Sequence, residues 1–174
     1  MEMLPFYNIF NEWYAAQTSK KIRAVWQSKA DNGKRVSSSV PFGYVKDPEN
    51  REKWLIDEPA AEIVRKIFAL ALGGRGPSQI ARQLEKENIL IPSAYYESVG
   101  RKHSQKIPLN PCAWDQKTIV HILENRQYTG CAVNFKSTTV SYKVHKVIYN
   151  PIEEQQVIPN MQEPIIPVSY THLR

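Results

Sequence analysis

One stretch of the chain carries two helix-forming segments separated by glycines and a proline, and this pair restricts the possible folds most. It reads DEPAAEIVRKIFALALGGRGPSQIARQLEKENI and covers residues 57–89. Asp57 precedes the first segment as a predicted N-cap, and the pair Gly73–Gly74 ends it. After the break RGP, Ser78 is the predicted cap of a second helix that closes near Asn88. Such a pair of helices belongs either to a helix-turn-helix reader of DNA or to a helical hairpin that only packs.

The apolar residues of both segments recur every three or four positions, as a helix with one buried face requires. The same spacing continues further along the chain, and large apolar residues flank the two segments. The residues predicted to face the core are Phe42, Trp54, Ile63, Val64, Ile67, Phe68, Leu72, Ile80, Leu84, Ile119, Ile122 and Leu123.

A third helix and two strand hairpins accompany this pair. WDQKTIVHILENRQYTG predicts a helix from Trp114 to Glu124, with Asp115 as its cap. GYVKD and KWLID read as one hairpin, and TGCAVNFKST and VSYKVHKVIY as another. Residues 91–113 are polar, proline-rich and aperiodic, which predicts a long loop. The predicted fold class is α+β, mainly α with short β-hairpins, and three helices followed by a hairpin are typical of a winged helix.

A long N-terminal helix with a basic second half precedes these elements. Apolar positions recur through PFYNIFNEWY and again through IRAVW, which predicts one helix over residues 5–30, ended by Gly33. Between Lys20 and Arg35 the single acid is Asp31. The next segment, KRVSSSVPFGY, is basic, small and extended. This composition suits either a segment lying in a DNA minor groove or a flexible tether.

Composition narrows the class of protein. The 174-residue chain is 42% hydrophobic, which is enough for a core. Its net charge is +6, and the basic block between Lys20 and Arg35 points to a polyanionic partner more strongly than this total does. It has no apolar run of the roughly 20 residues that cross a bilayer and no signal-peptide pattern, so we expect a soluble, cytoplasmic protein without a membrane partner. Cys112 and Cys131 lack the spacing of metal ligands and are predicted to be buried thiols.

No motif of catalysis or cofactor binding stands out. G-x-S-x-G, the P-loop and G-x-G-x-x-G are absent, and GGRG at residues 73–76 is better explained as a helix end. The histidines His103, His121, His145 and His172 are scattered and are predicted to lie at the surface. We therefore expect no catalytic residue, metal, cofactor or small-molecule substrate in this chain.

The third helix stands in the place of a recognition helix. Its outward positions carry the donors and acceptors that read base edges and phosphates. The residues predicted to contact DNA are Lys20, Lys21, Arg23, Lys29, Lys34 and Arg35 on the phosphates or in the minor groove, Arg75 and Gln79 on the backbone, and Gln116, Lys117 and His121 on the bases.

The same residues carry a resemblance to a known family. PFYNIFNEWYAAQTSKKIRAVWQSKADNGKRVSSSVPFGYVKD, WLIDEPAAEIVRKIFALALGGRGPSQIARQLEKENI and WDQKTIVHILENRQYTGCAVNFK resemble, in that order, the middle of a large serine recombinase of the resolvase and invertase superfamily. The transposon resolvases are the branch that they resemble most. The resemblance covers residues 3–166, nearly the whole chain.

The resemblance implies both a domain organisation and a mechanism. Residues 1–33 correspond to the long helix that leaves the catalytic domain, residues 34–44 to a basic linker in the groove, and residues 41–166 to the DNA-binding recombinase domain. Residues 167–174 are expected to be a non-native or disordered tail. In the family, a catalytic serine attacks a DNA phosphate within a tetramer. That serine and the zinc-ribbon cysteines have no counterpart in this chain, which is therefore expected to be an inactive fragment that recognises the attachment site on double-stranded DNA.

A second hypothesis comes from a different class of function. The chain could be a helical interaction module whose basic face binds an acidic protein, with Tyr95, Tyr96 and the aromatic residues of the long helix as anchors.

Overall fold

The computed structural model describes residues 4–169, and these residues form two compact units. The first unit consists of residues 4–38 and 132–159, and the second of residues 39–131 and 160–169. The elements, in chain order, are α1 (Leu4–Asp31), β1 (Tyr44–Lys46), β2 (Trp54–Ile56), α2 (Glu58–Leu72), α3 (Pro77–Lys86), α4 (Pro92–Ser98), α5 (Gln116–Leu123), β3 (Ala132–Asn134), β4 (Ser137–Thr139), β5 (Val147–Tyr149) and β6 (Gln156–Ile158). The predicted α+β class, with a long N-terminal helix, is confirmed.

In the first unit, α1 is accompanied by two short antiparallel strand pairs. β4 pairs with β5, and β3 pairs with β6. The turn of the β4–β5 hairpin contacts the helix, because Tyr142 donates a hydrogen bond of 3.2 Å to Glu12 and Lys143 forms an ion pair with the same carboxylate. The predicted end of α1 is confirmed, since the helix ends at Asp31 and Gly33, two residues later, has φ +66°.

The second predicted hairpin is correct only in part. β4 and β5 pair as expected, but β3 pairs with β6, which the sequence did not indicate. Phe135 has φ +57°, so the chain turns sharply after Asn134 and one continuous strand cannot form. These strands group with α1, whereas the three helices of the predicted winged helix, α2, α3 and α5, lie in the second unit. The winged-helix assignment stays a prediction.

The second unit is built around α2, α3 and α5, with the β1–β2 hairpin and residues 165–166 packed against them. All predicted core residues outside α2 and α5 are buried, as are most within them. Leu123 and Ile63 are half-buried at the edge of the core. Leu72 is 45% exposed, so its assignment to the core was wrong. It lies in the last turn of α2, beyond the part of the helix that the core covers.

The helix ends follow from local hydrogen bonding, with two corrections. Asp115 caps α5 by accepting a hydrogen bond from the Lys117 amide, and Asn88, with φ +55°, closes α3 as predicted. Ser78 is not the cap of α3. Gly76 occupies the N-cap position of α3. Its N–H donates to Gln79 Oε1 at 3.1 Å, because the glutamine side chain can reach back one turn.

Asp57 is the second correction. It occupies the N-cap position of α2, but its side chain makes no capping hydrogen bond. Its carboxylate instead accepts a hydrogen bond of 2.9 Å from Tyr95 and forms an ion pair of 2.8 Å with Arg101. A buried carboxylate is stabilised more by a phenol and a guanidinium than by one backbone amide.

The predicted long loop contains a helix, α4. Pro92 occupies its first turn, and the rings of Tyr95 and Tyr96 lie 5.6 and 6.0 Å from the ring of Phe42. These edge-to-face contacts supply the stabilisation that a seven-residue segment cannot generate by itself. Among the described residues, no helix is both long enough and apolar enough to span a membrane.

Candidate nucleic-acid interface

The first unit carries six of the predicted DNA-contacting cations. Lys20, Lys21, Arg23 and Lys29 are all exposed on the second half of α1. The guanidinium of Arg23 donates a hydrogen bond of 3.3 Å to the carbonyl of Thr139, at the end of β4. Exposed cations stay hydrated in the folded chain and remain available to phosphate groups.

The remaining two cations lie in an extended segment that directly follows α1. Lys34 is exposed and Arg35 is half-buried. The side chain of Asn134 holds the backbone on both sides of Arg35: it accepts from Val36 N–H at 2.9 Å and donates to the Lys34 carbonyl at 2.9 Å. Two hydrogen bonds from one side chain therefore hold the backbone of this segment.

The second unit carries the predicted base readers on α5. Ile119 and Ile122 face the core, and this places Gln116, Lys117 and His121 on the exposed side of the helix. The predicted backbone contacts, Arg75 and Gln79, are exposed at the start of α3 and just before it. Ser78 donates a hydrogen bond of 2.6 Å to Gln116 Oε1, which joins the start of α3 to the start of α5. The structure thus brings the α3 and α5 candidates together within this unit.

A cleft of about 740 Å³ lies beside α5 in the second unit. His121 lines it from the helix, and His103 and Lys106 line it from the loop that follows α4. Nδ1 of His103 is buried and has no hydrogen-bond partner among the described residues. Asp115 also lines the cleft, but its carboxylate already accepts from the Lys117 amide.

The sequence interpretation did not include this loop among the candidate interface residues. A signal was present, because residues 99–114 contain Arg101, Lys102 and Lys106 and no acid. The sequence also gave no reason to associate His103 with His121, which lie on different elements and line the same cleft.

The loop is fixed at its start by the ion pair of Arg101 with Asp57. The Asp57 side chain is 10% exposed, and Tyr95 donates to the second carboxylate oxygen. Burial, and then the hydrogen bond to Asp57, raise the pKa of Tyr95 above its usual value. Asp57 therefore binds the start of the loop through Arg101 and the preceding helix through Tyr95.

The described residues hold no group of three or more His, Cys, Asp or Glu side chains that could bind a metal ion. Cys112 and Cys131 are buried and free, which confirms the prediction of buried thiols. Of the four histidines, His172 lies outside the described residues. His121 and His145 are exposed as predicted, whereas His103 is half-buried.

The first half of α1 exposes a set of large apolar residues. Their exposed fractions range from about a half to two thirds, with Trp13 at 56% and Phe6 at 66%. The other members of the set are Tyr7, Ile9, Phe10 and Tyr14. An exposed apolar surface of this size on a helix is typical of an interface.

The comparisons with known proteins identify the family. The family model described as Recombinase matches residues 58–171, more than half of the chain. No curated protein and no solved structure matches. The matched range begins at the first residue of α2, so it includes the α3 and α5 candidates and most of the cleft lining but neither α1 nor the basic segment after it. The chain belongs to the Recombinase family of serine recombinases, and its role is in site-specific DNA recombination.

Proposed function

We propose that this chain is the part of a serine recombinase that recognises the attachment site on double-stranded DNA. The observation that carries the proposal is the division of α5 into two faces. Ile119 and Ile122 pack into the core, while Gln116, Lys117 and His121 face outward. Amide, ammonium and imidazole groups on the outer face of a short helix are suited to base edges in the major groove.

The basic segment after α1 supports the same proposal. Its extended backbone is narrow enough for the minor groove, and Lys34 and Arg35 supply cations for the negative potential there. Lys20, Lys21, Arg23 and Lys29 extend the basic surface along α1 for contacts with phosphates. Arg75 and Gln79 supply further backbone contacts near the start of α3.

The proposal assigns catalysis to another part of the recombinase. The large serine recombinases that the sequence resembles attack a DNA phosphate with a serine, form a phosphoserine link and exchange strands within a tetramer. We propose that this serine lies outside the present chain, which alone is inactive, and that the protein belongs to the transposon resolvase branch. The chain acts in the cytoplasm, and the full-length protein forms dimers and tetramers.

The exposed apolar residues of α1 favour a second candidate, an interaction module whose basic face binds an acidic protein. Two of its expected anchors are less suitable than the sequence suggested, since Tyr95 and Tyr96 pack against Phe42 and Tyr95 is bonded to Asp57. The module hypothesis then depends on α1 alone. This hypothesis predicts that an acidic protein partner stays bound to the chain after nuclease treatment.

The experiment is a titration of labelled duplex DNA at low and moderate salt, followed by fluorescence anisotropy. The test variant is Lys34→Ala/Arg35→Ala. The matched control is Arg51→Ala/Lys53→Ala, which removes the same charge from exposed positions around the β1–β2 turn. We expect the test variant to bind DNA more weakly. The slope of log Kobs against the logarithm of the salt concentration should become less steep by about 1.8, since each lost phosphate contact contributes about 0.9.

Each result has a defined meaning. Salt-dependent binding that the test variant weakens and the control does not would support the proposal and the role of the segment. Binding that does not change with salt would contradict DNA recognition through these cations. An equal loss in both variants would show that net charge alone, and not this segment, determines the affinity.

A further inference from the structure

Asn134 is a buried amide in contact with the basic segment. Its exposed fraction is 1%, and it lies at the end of β3. The Val36 amide donates to Oδ1 at 2.9 Å, and Nδ2 donates to the Lys34 carbonyl at 2.9 Å. One side chain thus provides the donor and the acceptor that a neighbouring β-strand would offer to alternate residues of an extended backbone. The residue between the two bonded groups is Arg35.

A second amide connects Asn134 to the end of α1. Gln156 lies directly opposite Asn134 in the β3–β6 pair. Its Oε1 accepts from Asn134 Nδ2 at 3.1 Å, and its Nε2 donates to the Ala30 carbonyl at 2.9 Å. Ala30 is itself 1% exposed. The two side chains form a relay from the last turn of α1 to the basic segment, and we call it the amide relay.

We propose that the amide relay of Asn134 and Gln156 positions Lys34 and Arg35 for DNA. This inference rests on the proposed function, because it assigns the relay a role only if those cations contact DNA. The relay fixes the backbone of residues 34–36 and the direction in which the segment leaves α1. Ordering a free backbone costs conformational entropy for every residue that is fixed. A segment that is ordered before binding avoids this cost when it meets the groove.

The simpler explanation is that the two amides only satisfy backbone groups at the end of a helix. The two explanations differ in a measurable way. A purely structural role lowers the stability of the first unit and affects DNA affinity equally whether or not the cations are present. A positioning role acts through Lys34 and Arg35, so its effect on affinity requires those side chains.

The test variant is Gln156→Ala, which interrupts the relay without removing the more deeply buried Asn134. Its matched control is Gln155→Ala. Gln155 is the adjacent residue, is also half-buried, and makes the same type of bond, from Nε2 to the Asn150 carbonyl at 2.9 Å, but does not touch the basic segment. Circular dichroism and thermal unfolding establish that both variants fold. Hydrogen exchange of the Val36 amide reports whether the segment has been released.

We expect Gln156→Ala to increase exchange at Val36 and to weaken duplex binding about tenfold, since each 1.4 kcal/mol of restored ordering cost is tenfold in affinity. We expect Gln155→Ala to bind as the unchanged protein does. In the Lys34→Ala/Arg35→Ala background, Gln156→Ala should have no further effect on affinity. This loss of additivity is the signature of a positioning role.

Two results would overturn the proposal, and they are distinguishable. If the unchanged protein binds duplex DNA but Gln156→Ala costs the same affinity in both backgrounds, or none in either, the relay does not position the cations and the proposed function stands. If the unchanged protein shows no salt-dependent binding of duplex DNA, the proposed function fails and the relay's role fails with it.

Discussion

Gly43 is a position in the second unit where one added methyl group should be costly. Its φ is +98°, a conformation that L-residues other than glycine rarely adopt. A Cβ atom there would lie 2.9 Å from Ile165 Cδ1 and 3.2 Å from Val64 Cγ2, well inside the 3.5–4.0 Å optimum for carbon contacts. The Ile165 methyl lies at the end of a side chain and can move, whereas Val64 is fully buried in α2.

The expected cost of Gly43→Ala is the sum of two effects. The left-handed backbone conformation contributes about 1–2 kcal/mol, and forcing a methyl group into a packed site contributes about 1–3 kcal/mol. The free energy of unfolding should therefore fall by about 2–5 kcal/mol. Gly74→Ala is the matched control, because Gly74 has φ +81° but no atom within 4 Å of the added Cβ, so only the first cost applies.

The assay is urea unfolding followed by tryptophan fluorescence, since Trp54 and Trp114 are buried in the same unit as both glycines. We expect the free energy of unfolding of Gly43→Ala to be about 1–3 kcal/mol lower than that of Gly74→Ala, with an unchanged m-value. Equal losses in the two variants would refute the reasoning, because the contacts with Val64 and Ile165 would then cost nothing. A gain in stability for Gly43→Ala would contradict the backbone argument as well.

Two further predictions concern the second unit. Burial raises the pKa of Tyr128 far above its usual value, and it also raises the pKa of Tyr96. The unfolded chain therefore loses these phenol protons first, so the contribution of the two tyrosines to stability should be constant below about pH 10 and fall as the pH rises above it. Tyrosinate absorbance measured alongside circular dichroism checks this, and complete ionisation of the tyrosines while the fold persists would contradict it. Asp57→Ala removes the partner of both Tyr95 and Arg101, and it should cost about 1–3 kcal/mol and increase hydrogen exchange in α4. Glu62→Ala, at an exposed position of α2, is the control; similar exchange in the two variants would show that Asp57 does not anchor the loop.

The elements that sequence reasoning predicted well are those specified by neighbouring residues. α2, α3 and α5 have apolar positions at helical spacing, with Pro59, Asn88 or Asp115 near their ends. The β1–β2 hairpin has a polar turn between two short apolar segments. In each case the signal lies within a few residues of the structure it specifies, so one sequence is enough to read it.

The features that it missed depend on residues far apart in the chain. α4 is stabilised by packing on Phe42, and Asp57 finds its partners 38 and 44 positions later, at Tyr95 and Arg101. β3 pairs with β6 across an intervening hairpin. For the candidate interface, charge and helical spacing were enough to predict which side chains would be exposed, with the exception of the half-buried Arg35. They gave no indication of Asn134, a single amide in a short strand whose role is apparent only from its contacts.

The order of the two units along the chain has a consequence for how the protein is made. The first unit begins at α1 but is completed only by residues 132–159, after most of the second unit. Asn134 follows its partner Val36 by 98 residues. At roughly 5–20 residues per second, the ribosome takes about 5–20 s to synthesise that interval. During this time the basic segment has already been synthesised. Asn134, whose side-chain amide orders it, has not. A truncated chain that ended after α5 would retain the helices of the second unit but would lack Asn134. Its basic segment would therefore never gain these ordering contacts.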